Sequence, residues 1–230
     1  LRENAPAEHW HIGRTDNTVD TFKCLTERID MEPADFFAEI SVAMRRGKIY
    51  GGEGSDYGAS WARASDNAYM MLDQEKAKAG WCEISALDEI VKTLPPDANV
   101  QLSNGMTVRY YEWVSRRRAH RADCNRGVSG IDGSTSTAIG AATAYSGMTV
   151  LITGDMSAQY DIGALASLRL INPKGKFKMV VMANGGGNIF KYVKNTRGLA
   201  ETEDYLYNSV DTDWNSVGKA YGMAVFEASD

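Results

Sequence analysis

The chain has 230 residues, of which 43% are hydrophobic and 24% are charged, as in ordinary soluble globular proteins. This length is enough to bury a sizeable core, and one or two domains are expected. The net charge of −5 gives no overall attraction to nucleic acid or to a membrane surface, and no apolar run approaches the roughly 18 residues of a membrane span. Cys24, Cys82 and Cys124 lack CxxC spacing, which favours reduced thiols and a cytoplasmic protein.

The first 58 residues predict the end of one domain followed by a linker. Residues 22–29 favour a strand, and Pro33 favours a helix over residues 35–46, because proline suits the first helical turn. The glycine-rich stretch 51–58 resembles a phosphate-binding loop. No Gly-Lys-Ser/Thr follows it, so we interpret it as a flexible linker. The chain starts at Leu1 without a signal-peptide pattern, and we expect it to begin inside a longer protein.

The rest of the chain alternates between helical and strand patterns. Two helices are predicted first, over residues 59–79 and 85–94, and Pro95 ends the second. Short apolar strands then alternate with helices. The strands are predicted at 99–102, 149–153 and 177–183, and the helices at about 106–115, 134–145, 158–171 and 214–221. This order predicts an α/β fold, a doubly wound parallel sheet with helices on both faces, and such sheets bind ligands at the carboxyl ends of their strands.

Two of these strand ends carry the most informative residues. Gly154 and Asp155 follow one strand, and Asn184 follows the next, 29 positions after Asp155. A glycine turn before a helix presents N–H groups to an anion, but a carboxylate there repels phosphate unless a cation lies between them. Asparagine and loop carbonyl oxygens are ligands that Mg²⁺ takes. Singly these signals are typical of a helix cap and a turn, whereas together they predict a diphosphate bridged by Mg²⁺.

The same residues resemble the binding fingerprint of thiamine-diphosphate (ThDP) enzymes, Gly-Asp-Gly followed about 25–30 residues later by Asn-Asn. Met156 and Gly185 replace the last glycine and the second asparagine of that fingerprint. Residues 125–138, with the sequence NRGVSGIDGSTSTA, resemble the signature of the 2-succinyl-5-enolpyruvyl-6-hydroxy-3-cyclohexene-1-carboxylate (SEPHCHC) synthases of menaquinone biosynthesis. Further blocks similar to that family lie at 104–109, 155–161 and 184–190.

The resemblance implies a transferase that uses ThDP and Mg²⁺ (or Mn²⁺), decarboxylates 2-oxoglutarate and joins the remaining unit to isochorismate. Ile131 is expected to act in catalysis as the bulky residue under the bent cofactor. Arg109 and Arg126 are expected to bind substrate carboxylates, whose planar shape the guanidinium group matches. The expected metal ligands are Asp155, Asn184 and the carbonyl of Gly186. The expected cofactor-binding residues are Gly105, Gly154, Met156, Ser157 and Asn188.

The resemblance also implies a domain organisation. Residues 1–50 are expected to be the tail of a middle domain, 51–58 a linker, and 59–230 the diphosphate- and Mg²⁺-binding domain, cut short at its C-terminal end. The aminopyrimidine-binding N-terminal domain, which holds the family's activating glutamate, is expected to be missing. We therefore expect this chain to be inactive alone and to work with that domain in a homodimer or homotetramer.

Other functions stay open at this point. Another ThDP enzyme, such as an acetolactate synthase or a 2-oxoacid decarboxylase, is the nearest alternative, although two arginines favour substrates with two carboxylates. A non-catalytic α/β domain that binds a phosphorylated ligand, or that only dimerises, is a different class. A nicotinamide site is disfavoured, because no GxGxxG motif follows the first strand.

The assigned residues also have structural alternatives. Ile131 is compatible with simple core packing, Arg126 with a surface ion pair, Arg109 with a solvated helix position and Ser157 with a helix N-cap. The basic run at 116–121 is interpreted as a solvated helix end rather than a nucleic-acid site, because no aromatic residues interleave with it.

Overall fold

The computed structural model describes residues 3–48, 56–116, 120–171 and 176–229. The chain divides into two compact units, Leu1–Asn67 and Ala68–Asp230. Within the described ranges, no helix has the length and apolar character needed to cross a membrane. Most of the predicted glycine-rich linker, residues 51–55, lies outside the described residues, and the predicted domain boundaries stay a prediction.

The first unit contains a small parallel sheet and a helix. Strands β1 (Trp10–Ile12) and β2 (Glu27–Ile29) pair in parallel, and helix α1 (Pro33–Arg45) starts at the predicted proline. Strand β2 is shorter than the predicted strand 22–29. The carboxylate of Asp20 accepts hydrogen bonds from the backbone N–H groups of Cys24 and Leu25, both at 3.2 Å, and this turn takes the preceding residues out of the strand.

Helix α2 (Tyr57–Ala79) contains the boundary between the units, and the second unit continues with alternating helices and strands. These are α3 (Glu83–Thr93), β3 (Asn99–Leu102), α4 (Met106–Ser115), β4 (Arg121–Cys124), α5 (Ser134–Ala144), β5 (Thr149–Gly154), α6 (Asp155–Tyr160), a 3-10 helix (Ile162–Leu170), β6 (Phe177–Met182), α7 (Ile189–Tyr192), a π-helical segment (Thr202–Tyr207) and α8 (Trp214–Tyr221).

The predicted α/β fold is confirmed. The sheet of the second unit has the order β4-β3-β5-β6, and every neighbouring pair is parallel. Alternate residues of β5 enter two different apolar clusters: Val150 and Ile152 pack with α3 and α4, whereas Leu151 packs with α5 and the 3-10 helix. Side chains of a strand point alternately to opposite faces, so helices cover the sheet on both sides.

Three local predictions are wrong. Strand β4 was not predicted, because it lies at the sheet edge and its exposed residues carry no apolar pattern. The basic run at 116–121, interpreted as a solvated helix end, is not one element: Arg116 follows the last residue of α4 in a left-handed conformation, and Arg121 begins β4. Residues 117–119 lie outside the described residues. The single helix predicted over 158–171 is interrupted at Asp161. Its carboxylate accepts hydrogen bonds from the backbone N–H of Ser136 (2.6 Å) and from the Ser136 hydroxyl (2.8 Å), which ties it to the start of α5.

The strand order creates the place where a ligand is expected. From β3 the chain moves outward to β4 and then crosses back to β5 on the other side of β3. Doubly wound sheets bind ligands at the carboxyl ends of strands beside such a reversal of order. Because all four strands are parallel, their carboxyl ends lie at one edge of the sheet. The segment 223–226 after α8 adds no strand to it.

Candidate cofactor and metal site

Every site residue predicted from the sequence lies at the carboxyl end of a strand of this sheet or just beyond it. Gly105 and Arg109 follow β3, Arg126 and Ile131 follow β4, Gly154 ends β5 and is followed by Asp155, Met156 and Ser157, and Asn184, Gly186 and Asn188 follow β6. Parallel pairing therefore brings the residues that the sequence singled out to the same edge.

Asp155 joins the start of α6 to the glycine loop after β6. The residue is only 2% exposed. Its Oδ2 accepts hydrogen bonds from the backbone N–H groups of Gly185 (2.7 Å) and Gly186 (3.1 Å), and its Oδ1 accepts one from Met156 (2.7 Å). Burial raises the pKa of the Asp155 carboxyl above its ordinary value, and these N–H donors oppose the rise. The carboxylate is thus buried with backbone donors around it.

The nitrogen and the oxygen of the Asn184 side-chain amide contact different neighbours. Its Nδ2 donates a hydrogen bond to Oε1 of Glu83 at 2.8 Å. Its Oδ1 has a long contact, 3.4 Å, with the backbone N–H of Gly186, which is the same N–H that Asp155 contacts. The oxygens of Asp155 and Asn184 therefore converge on one point of the loop, as the spacing of these residues predicted.

Glu83 is a member of this site that the sequence did not reveal. It is half-buried at the first position of α3, 101 positions before Asn184. Burial raises the pKa of the Glu83 carboxyl, the hydrogen bond from Asn184 lowers it, and the nearby charge of Asp155 raises it further. No motif marks Glu83, since an acidic residue in the first turn of a helix is commonplace.

The residues present fit a divalent cation. Neither Asp155 nor Glu83 forms an ion pair with a basic side chain among the described residues, so the site holds negative charge without a protein counter-ion. A carboxylate, an amide oxygen and a carbonyl are hard oxygen ligands suited to Mg²⁺. The Gly186 carbonyl accepts the N–H of Asn188 at 2.9 Å and keeps its second lone pair. No group of three His, Cys, Asp or Glu side chains suited to a metal occurs in the described ranges.

Gly187 is required in the loop because the backbone of another segment passes too close for a side chain. A Cβ atom on Gly187 would lie 2.9 Å from the carbonyl oxygens of Leu206 and Tyr207. The N–H of Gly187 donates to the Tyr207 carbonyl at 2.6 Å, and the N–H of Val210 donates to the Gly185 carbonyl at 3.1 Å. The segment around the π-helical turn therefore packs directly on the glycine loop, which the sequence did not predict.

Ser157 contacts Ile131 rather than capping its helix. Helix α6 begins at Asp155, so the N-cap alternative for Ser157 is wrong. Its hydroxyl, in a side chain that is 2% exposed, donates to the Ile131 carbonyl at 2.5 Å. Ile131 is half-buried and belongs to neither of the two apolar clusters that flank the sheet. The core-packing alternative for Ile131 stays open.

Asn104, directly beyond β3, organises the loop that carries Arg126. It is 4% exposed, and its Nδ2 donates to the carbonyls of Asn125 (2.9 Å) and Gly130 (2.6 Å). Its Oδ1 accepts from Nη1 of Arg126 at 2.7 Å and lies 3.4 Å from the Cys124 sulfur. The sequence placed Asn104 in a similar block but gave it no role. One nitrogen of the Arg126 guanidinium is thus fixed by Asn104.

Arg109 lies on the exposed side of α4 and donates to the carbonyl of Gly105. In the part of the chain that the structure describes, neither Arg109 nor Arg126 pairs with a carboxylate. The surface ion pair considered for Arg126 is therefore wrong within those residues, and a solvated helix position for Arg109 stays open.

Comparisons with known proteins show what the chain is similar to. No family model matches the chain. Curated SEPHCHC synthases are similar to it: that of Porphyromonas gingivalis is 34% identical over 99% of this chain, that of Flavobacterium johnsoniae 33% over 100%, and that of Bacteroides thetaiotaomicron 29% over 93%. The chain spans about two-fifths of the length of these relatives, 40%, 40% and 39% respectively. The resemblance expected from the sequence is thereby confirmed, and the chain is a relative of the SEPHCHC synthases, similar along essentially its whole length to a part of such an enzyme.

Proposed function

We propose that this chain is the diphosphate- and metal-binding part of a ThDP-dependent SEPHCHC synthase of menaquinone biosynthesis. The full protein would decarboxylate 2-oxoglutarate and add the remaining four-carbon unit to isochorismate. The observation that carries the proposal is the contact of the buried Asp155 carboxylate with the loop that starts at Asn184, in a chain similar throughout to SEPHCHC synthases. We further propose a cytoplasmic homodimer or homotetramer, completed by the N-terminal domain.

The metal site is assigned to the residues that converge on the glycine loop. Asp155, Asn184 and the carbonyl of Gly186 would hold Mg²⁺ or Mn²⁺, with water and diphosphate oxygens as the remaining ligands. The unbalanced charge of Asp155 and Glu83 supports a cation at this place. The residues assigned to the cofactor are Gly105, Gly154, Met156, Ser157 and Asn188. Of these, Met156 already donates its N–H to Asp155.

The remaining residues are assigned to catalysis and substrate binding. When bound, ThDP supplies an electron sink for decarboxylation of a 2-oxoacid and formation of a carbon–carbon bond. Ile131 would support the cofactor from a loop that Ser157 fixes by a hydrogen bond. Arg126 and Arg109 would bind carboxylates of the substrates, and the lack of carboxylate partners among the described residues supports this assignment. Both substrates carry two carboxylates, which favours them over pyruvate.

The test is an assay of the full-length protein with ThDP and Mg²⁺. We expect CO₂ release from 2-oxoglutarate and formation of SEPHCHC when isochorismate is added, and little CO₂ from pyruvate. Release from pyruvate alone would favour the acetolactate-synthase or decarboxylase alternative. Absence of both cofactor binding and CO₂ release would favour a non-catalytic domain. The 230-residue chain alone is expected to be inactive, because the family's activating glutamate lies in another domain.

A further inference from the structure

We infer that Glu83 is a positioning residue of the proposed metal site: its carboxylate orients the Asn184 amide so that the oxygen, and not the NH₂ group, faces the metal. The inference rests on the proposed function, because it assigns Asn184 a metal. Glu83 lies 101 positions before Asn184, and no sequence motif marks it.

The contact between Glu83 and Asn184 fixes which atom of the amide faces the carboxylate. An ionised carboxylate only accepts hydrogen bonds, so the group of Asn184 that lies 2.8 Å from Glu83 must be the NH₂ donor. The amide is planar with its two polar atoms on opposite sides. Its oxygen therefore points the other way, toward the N–H of Gly186 that Asp155 also contacts. Without Glu83, a rotation of the amide by 180° would place two N–H donors against the cation.

Glu83 is held firmly enough for this role. It starts α3, whose residues Leu87 and Val91 are 0% exposed in the apolar cluster beside the sheet. The turn before the helix is fixed, because the N–H of Cys82 donates to the hydroxyl of Ser85 at 2.8 Å. The carboxylate thus projects from an anchored helix start, as ligand-orienting partners in metal sites commonly do.

If Glu83 only stabilised helix α3, its replacement would have a different effect. A carboxylate at a helix N-terminus stabilises the helix through the partial positive charge there, and this effect is independent of any metal. Glu89 on the same helix provides a matched control, since it is exposed and pairs with Lys92 at 2.6 Å. It lies outside the site, and its replacement should leave metal binding unchanged.

The first experiment measures Mg²⁺-dependent ThDP binding by the full-length protein, together with the unfolding midpoint without metal. We expect Glu83→Ala to raise the Mg²⁺ concentration at half-saturation by about 10- to 100-fold, and Glu89→Ala to leave it unchanged. ThDP affinity at saturating Mg²⁺ should stay close to that of the wild type. If Glu83→Ala lowers the unfolding midpoint but leaves the Mg²⁺ concentration at half-saturation unchanged, Glu83 serves helix stability only, and the inference is overturned.

A second experiment separates the hydrogen bond from the charge, using variants that keep the approximate size of the Glu83 side chain. Glu83→Gln loses the negative charge but keeps an oxygen that can accept from the Asn184 NH₂ group, whereas Glu83→Met loses both. We expect Glu83→Gln to bind Mg²⁺ more tightly than Glu83→Met. Equal weakening in the two variants would assign the effect to charge alone and overturn the inference, while wild-type binding and its loss in Asp155→Ala would still support the function. A wild type without Mg²⁺-dependent ThDP binding overturns both.

Discussion

The hydroxyl of Ser157 and the carbonyl of Ile131 are joined by a hydrogen bond of 2.5 Å. Ser157 lies two positions after Asp155 in α6, so the proposed metal ligand and the proposed cofactor-supporting residue depend on one short helix. The backbone of Ile131 is fixed by this bond, while its side chain remains half-buried. A side chain held in this way can shape a bound cofactor without itself being part of the core.

Ile131→Ala in the full-length protein should lower kcat more than it lowers ThDP affinity. The metal and diphosphate residues are untouched, whereas the bulk that favours a reactive cofactor geometry is lost. Ile131→Leu and Ile131→Met should keep most of the activity, since they keep the bulk. The measurements are kcat per folded enzyme, ThDP affinity and the unfolding midpoint. If the alanine variant instead loses about 2–5 kcal/mol of stability with unchanged turnover, Ile131 serves packing only.

Asp155→Ala should abolish Mg²⁺-dependent ThDP binding, and Asn184→Ala should weaken it less completely. Asp213 is a matched control, because it also lies at a helix N-terminus, where its Oδ1 accepts the N–H of Ser216 at 3.0 Å. Asp213→Ala should lower the stability of α8 and leave cofactor binding intact. Titration calorimetry with ThDP, with and without Mg²⁺, checks this. An unchanged Mg²⁺-dependent ThDP affinity in Asp155→Ala would contradict the proposed metal site.

Arg126→Ala and Arg109→Ala should leave ThDP affinity nearly intact and impair the use of 2-oxoglutarate or isochorismate. Loss of a hydrogen bond to a charged group costs about 1.5–3 kcal/mol, or roughly 10- to 150-fold in kcat/KM. Replacement by lysine should rescue only part of the loss, since lysine cannot form the bidentate pair. Steady-state kinetics with each substrate varied separately would show which arginine serves which substrate. If both variants show wild-type kinetics, Arg126 and Arg109 do not bind substrate and are solvated surface residues.

Gly187→Ala should weaken Mg²⁺ binding, because its Cβ would approach the Leu206 and Tyr207 carbonyls to 2.9 Å and displace the loop. Gly140 in α5 is a control without neighbours within 4 Å of an added Cβ. Gly140→Ala should raise stability by about 0.5–1 kcal/mol, as alanine does in place of a helical glycine, and leave the metal unaffected. Equal metal affinity in both variants would show that the loop adapts.

Asp88 should make the fold sensitive to acid. Although burial raises its pKa, hydrogen bonds from Lys76 and Lys92 hold the pKa of this carboxyl below its ordinary value. A lowered folded pKa gives stability that is present above the unfolded pKa, about 3.9, and lost as the pH falls through the folded value. Asp88→Asn should lower the free energy of unfolding by about 1.5–3 kcal/mol near neutral pH. The variant should also lose less stability than the wild type as the pH falls below about 4. Denaturant unfolding across pH 2–7 measures both, with the exposed Asp97→Asn in the same unit as control.

The sequence predicted the parts of the molecule that local patterns encode. Buried strands such as β5 are continuous apolar runs, and the residues that follow them, Asp155 and Asn184, carry recognisable chemistry at a spacing that parallel strands convert into proximity. The candidate site residues could be proposed from the sequence because they belong to short contiguous blocks.

The sequence did not reveal contacts between distant segments. Glu83 meets Asn184 across 101 positions, and the packing of Tyr207 on Gly187 depends on a segment without a motif. Asn104 gains its role only when β3 and β4 pair, which brings the loop at Asn125 beside it. These contacts arise only when distant segments pack together in the fold, so the periodicity of the sequence does not predict them.

Parallel pairing also separates the two ends of the sheet. The loops that enter β3 and β5 lie at the edge opposite the site, where the hydroxyl of Tyr145 donates to the Asp97 carbonyl at 2.5 Å. At about 3.3 Å per residue, the strands place some 13–20 Å between those loops and the carboxyl ends. Ser146 is exposed there. A fluorophore or surface tether attached at that position can therefore follow the folding and assembly of this unit while the opposite edge stays open to solvent and ligands.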